Sequence, residues 1–98
     1  MVQGIENLSI IAGRVIARRA HPTLTDYDVL RVALESAAPV EGKAELLGAQ
    51  VGKEIDVAVR RALIPAGSAA TRLECRAKRT ADGAMCEPHP DAGDFSLR

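Results

Sequence analysis

Thr25-Asp26-Tyr27-Asp28-Val29-Leu30-Arg31-Val32-Ala33-Leu34-Glu35-Ser36-Ala37-Ala38-Pro39 carries the sharpest local signal in this 98-residue chain. Thr25 followed by Asp28 has the [S/T]-x-x-[D/E] form of a helix-capping box, in which side-chain oxygens satisfy otherwise orphaned backbone N–H groups. Leu24 and Val29 stand at the positions of a hydrophobic staple. Asp26 and Asp28 place negative charge at the positive end of a helix dipole. Val29, Leu30, Ala33, Leu34 and Ala37 then recur at helical spacing, and Pro39 ends the run. These features predict a helix over residues 26–38.

Upstream, Ile5, Leu8, Ala12, Val15 and Ile16 fall on one side at 3.6-residue spacing, with Glu6, Arg14 and Arg18 opposite. This predicts a first helix over residues 5–19. Ile10 and Ile11 leave that stripe and form a second apolar surface. His21-Pro22 stops the helix, because the residue before proline is steered out of the helical region. Downstream, Ala44, Leu47, Val51, Ile55, Ala58, Val59, Ala62 and Leu63 predict a third helix over residues 42–64. Ala44, Gly48 and Gly52 recur every fourth position, a ladder of small residues that lets another backbone come close. The two glycines cost this helix about 1 kcal/mol each relative to alanine.

Beyond Pro65 the period changes. Leu73, Cys75 and Ala77 alternate with charged neighbours as in a half-buried strand, Thr80–Gly83 reads as a turn, and Ala84–Cys86 as a returning strand. The expected fold is therefore mainly α: a three-helix domain over residues 1–65, then a C-terminal β-hairpin or irregular tail over residues 66–98.

Thirteen Lys and Arg balance thirteen Asp and Glu. Zero net charge removes any bulk electrostatic drive toward nucleic acid or anionic lipid. No apolar run approaches the roughly 18 residues of a membrane span, and no charged, apolar leader opens the sequence, so a cytoplasmic protein with no membrane partner is expected. Seventeen alanines against one Tyr, one Phe and no Trp leave three helices poor in bulk. Such a unit is expected to complete its core against a second copy or a protein partner.

Function follows from that expectation. The chain reads as a small non-enzymatic protein–protein interaction module, either self-associating or a subunit of a larger complex. Its contact residues would be Leu47, Gly48, Val51, Gly52 and Ile55 on the third helix, with Ile10 and Ile11 as a second surface. The alternative is a small DNA-binding regulator that touches phosphates through Arg14, Arg18 and Arg19. Cys75, Cys86 and His89 are weak metal candidates: Cys86 and His89 have the spacing of half a zinc site, but Cys75 is isolated. The two histidines, His21 and His89, are flanked by prolines and read as loop residues. No arrangement of nucleophile and base stands out, and no cofactor is implied.

Overall fold

Ile55-Asp56-Val57-Ala58-Val59-Arg60 carries a branched apolar residue at every second position, and in the folded chain Ile55, Val57 and Val59 point inward while Asp56 and Arg60 stay partly exposed and Ala58 is buried. That is the period of a strand. The computed structural model describes residues 6–67 and 69–98, and within them the chain forms six strands. These are β1 (Ser9–Ala20), β2 (Tyr27–Pro39), β3 (Glu54–Arg60), β4 (Arg72–Thr80), β5 (Gly83–Cys86) and β6 (Phe95–Leu97).

The mainly α, helical-bundle expectation is overturned. Residues 5–19, 26–38 and 42–64 hold no α-helix among the described residues; they hold β1, β2, a loop with a 3-10 turn at Gly48–Gln50, and β3. Ile5, expected to begin the first helix, lies outside the described residues. Thr25 and Asp28 do not cap a helix but flank the entry to β2. Tyr27 N–H donates to the Leu24 carbonyl, and His21 N–H to the Tyr27 carbonyl, which makes Pro22–Asp26 a hairpin connection. Two inward valines show why the helical stripes failed: Val32 and Val57 belong to neither stripe, and both are fully buried.

The strands close on themselves. β1 pairs antiparallel with β2, β2 with β3, β5 with β4, and β4 returns to β1 through Ser9–Ala77 to Arg14–Arg72. The remaining seam is parallel, where Val57 and Ala58 of β3 face Ala84 and Met85 of β5. β6 extends the sheet on β4 where β5 has departed. The C-terminal strand, turn and strand are present as β4 and β5, but as staves of this barrel rather than an appendage to helices.

Two irregularities bend the long hairpin. The β1–β2 register shifts between Ala12 and Gly13 and again between Val15 and Ala17, so that Ile16 is an extra, half-exposed residue. Such bulges increase local twist and let a single strand serve two sheets. Gly13 is needed there, since a Cβ would collide with the Ala33 carbonyl and the Val32 side chain.

Inside lie Ile11, Leu30, Val32, Leu34, Ile55, Val57, Val59, Leu73, Cys75, Ala77, Ala84 and Cys86. A barrel of five strands has a narrow interior, which alanine, valine and cysteine fill without aromatic bulk. Leu47 joins this core from the loop before β3, and Ile64 from the loop after it. The shortage of aromatics therefore does not leave the chain waiting for a partner to complete its core.

Candidate functional site

The hairpin connection Pro22–Asp26 and the β4–β5 turn rise on either side of the outer surface of β3 and β5, leaving a groove of about 640 Å³. Its floor is apolar, made by Val29 of β2, Ala58 of β3 and Met85 of β5, with Leu24 along one wall. Val29 and Ala58 sit there because they have the outward parity of their strands, at Val29–Ala58 in the ladder, yet both are buried by the surrounding walls.

The polar rim is specific. Arg19 Nη2 donates to Asp56 Oδ2 at 3.0 Å, and Arg31 Nη1 donates to Asp56 Oδ1 at 3.2 Å. The hydrogen bond from Arg19 is the main reason the Asp56 carboxyl is held below its ordinary value; partial burial opposes it, and Arg31 adds to the lowering. Asp82, on the β4–β5 turn, lines the groove without an ion pair to any described residue. The charge left uncompensated in the groove is thus a carboxylate.

His21 shapes the opposite wall. Its Nδ1 accepts hydrogen bonds from the backbone N–H groups of Thr23 at 3.1 Å and Leu24 at 3.0 Å. Two amide donors on one ring nitrogen require that nitrogen to be unprotonated, so the neutral ring carries its proton on Nε2.

Beyond the groove wall, Asp28 is buried at the mouth of the barrel, 5% exposed. Arg18 Nε donates to its Oδ2 at 2.7 Å and Arg61 Nε to its Oδ1 at 3.0 Å. Burial alone pushes the Asp28 carboxyl up, but the two guanidinium hydrogen bonds and their charges prevail and hold it below its ordinary value. Arg61 also donates to the carbonyls of Thr25 and Tyr27, tying the hairpin connection to the end of β3.

A second cleft of about 660 Å³ lies by Glu6, Lys43 and Arg76. Its cations are largely engaged within the chain: Lys43 pairs with Glu6, and Arg76 with Glu87 and Asp94.

The residues expected to form a contact stripe are scattered. Ile11, Leu47 and Ile55 are interior and present no surface. Ile10 and Val51 are exposed, while Gly48 and Gly52 belong to the loop before β3. Gly52 has φ of 90° and open space around a notional Cβ, so its role is a turn conformation rather than close packing. Of the three arginines proposed for phosphate, Arg18 and Arg19 are held by Asp28 and Asp56; Arg14 is exposed on β1.

Cys75 and Cys86 both face the core, and a hydrogen bond between them, with burial, pushes the Cys75 thiol well up. Among the described residues no three His, Cys, Asp or Glu side chains gather to hold a metal ion. Nor is any helix of the described residues long and apolar enough to cross a membrane.

Sequence reading missed Leu24, Val29, Ala58, Asp82 and Met85 as a group, because strand pairing alone brings them together. The available signal was the branched residue at every second position, Ile55, Val57 and Val59, which gives Ala58 the same parity as Asp56.

Strand order 1-2-3-5-4-1 with a parallel β3–β5 seam defines a closed five-stranded barrel. Comparisons with family models, curated proteins and solved structures give no significant match.

Proposed function

We propose that this chain is a non-enzymatic protein–protein interaction module whose groove between the β1–β2 and β4–β5 loops takes an extended, cation-bearing polypeptide segment. The observation that carries this reading is the composition of the groove: an apolar floor at Val29, Ala58 and Met85, and an unpaired carboxylate, Asp82, at the rim. An extended segment would lay alternate apolar side chains on that floor and bring a lysine, an arginine or an amino terminus to Asp82. The partner is a separate polypeptide or the surface of a second copy. Two buried, unpaired thiols are compatible with a reducing cytoplasm.

Selection of peptides from a displayed library on the immobilised full chain tests the proposal. Enriched sequences should be extended, apolar and basic. They should bind Asp82→Asn about tenfold more weakly and fail to bind Met85→Arg, with both variants keeping the wild-type circular dichroism spectrum. Enrichment of acidic sequences, or full binding by Met85→Arg, would refute it. Light scattering on the free chain distinguishes a second copy from a separate partner.

Nucleic acid remains the second reading on one resemblance: the strand order is similar to that of OB-fold barrels, whose loops 1–2 and 4–5 flank an oligonucleotide-binding face. That is an argument from fold, and function resides in the site. Here two of the three candidate arginines are neutralised, and among the described residues lining the groove the one aromatic ring is the His21 imidazole, which is engaged with the Thr23 and Leu24 amides. Binding of a single-stranded oligonucleotide that weakens steeply with salt would favour it over the peptide reading.

A further inference from the structure

We propose that His21 is a pH-sensitive latch on the groove: its neutral ring holds the β1–β2 connection in a tight turn, and protonation of Nδ1 releases that wall. The inference for binding rests on the groove being the binding site; the latch itself rests only on the hydrogen bonds. Nδ1 is the shared acceptor for the Thr23 and Leu24 amides, with Thr23 Oγ1 at 3.4 Å. A protonated imidazole has two donors and no acceptor, so both amides lose their partner in a single event. Leu24 contributes to the apolar wall of the groove, so loosening its backbone changes the surface a ligand meets.

The charged neighbours do not duplicate this response. Arg19 on β1 and Asp56 on β3 line the same groove and are paired with each other. Asp82 on the β4–β5 turn and Asp26 in the connection itself are the other acidic groups of this region. Arg18, Asp28 and Arg61, behind the connection, form their own ion-paired cluster. His21 is the group in this region whose protonation would take the acceptor from both amides.

Nuclear magnetic resonance of the full chain decides the matter. Above the ring's transition, nitrogen shifts should report a proton on Nε2 and none on Nδ1. Through the transition, followed by the ring's own carbon-bound protons, the protection of the Thr23 and Leu24 amides should fall about tenfold. His89 supplies an internal control whose titration moves neither amide. In His21→Asn the side-chain carbonyl replaces Nδ1 as a non-titrating acceptor, so protection should persist at every pH; in His21→Ala it should be absent throughout. A ring that titrates with both amides unaffected, or an Nδ1–H tautomer in the neutral form, overturns the latch. A lysine-bearing peptide selected on the groove should bind the wild type about tenfold more weakly once His21 is charged, and His21→Asn with no such loss. Equal binding by the wild type on both sides of the transition overturns the coupling. The amide result decides the latch and the neutral-pH peptide result decides the groove, so the two can fail separately.

Discussion

Gly83 has the tightest surroundings of the described glycines. Its φ is 147°, and a Cβ would run into the carbonyl oxygen of Asp56 on the neighbouring strand. Backbone and not a flexible side chain is the obstacle, so β3 and β5 would have to separate along their two-pair seam. Gly83→Ala should therefore lose about 2–3 kcal/mol in urea unfolding, whereas Gly52→Ala, strained in φ but meeting nothing, should lose about 1 kcal/mol. Equal costs at the two positions would mean that seam is not closed. Asp28 makes a second prediction at this scale. Asp28→Asn keeps the shape but removes two charge-assisted acceptors from Arg18 and Arg61, a loss of about 2–3 kcal/mol near neutral pH. The folded carboxyls of Asp28 and Asp56 are depressed, so their stabilisation is complete above the ordinary aspartate value of about 3.9 and fades as pH falls through their folded values. The acid limb of the wild-type stability profile should accordingly be steeper than that of Asp28→Asn. None of this was legible from local sequence: Arg18, Asp28 and Arg61 are gathered by ladder pairing, and Asp28 in isolation looks like a capping residue.

Strand identity is tested by neighbours along β1 and β3. Ile11 is 1% exposed and Ile10 is 48% exposed, so Ile11→Ala should cost about 3 kcal/mol and Ile10→Ala under about 1 kcal/mol. Val57→Ala should likewise cost about 2 kcal/mol, although Val57 lies off any helical stripe through Ile55, Ala58 and Val59. In a helical chain the difference between Ile11 and Ile10 would be flattened and the cost at Val57 would be small. The alternation of β3 and of β4 was present in the sequence, and for Leu73, Cys75 and Ala77 it predicts the inward face that is observed. In β1 and β2 it was concealed. Ile16 shifts the parity of β1, Val29 faces outward yet is buried under the groove walls, and Ala17 and Ala33 fit either period. The Thr25–Asp28 capping form and the good helix propensity of alanine then tilted a two-residue period toward a helical one. β-branched residues at Val15, Val32, Ile55, Val57 and Val59 were the counter-signal.

At the scale of the whole molecule, closure explains how a chain with one Tyr, one Phe and no Trp can enclose its own core. The barrel needs small and branched side chains inside, and it turns the remaining outward residues into a continuous surface bounded by loops. The groove belongs to this level. Leu24, Val29, Ala58, Asp82 and Met85 come from three separate stretches of sequence and meet only because β5 docks beside β3. Composition and local pattern by themselves determined the balance of charge, the scarcity of aromatic bulk, the alternation of β4 and the turn at Thr80–Gly83, because each depends on residues near one another in the chain. Strand character in the first hairpin, the barrel's closure, the ion pairing of the arginines and the groove were decided by tertiary structure. Each of those depends on pairing partners tens of residues apart, and a short-range period contains no information about which partner a strand will meet.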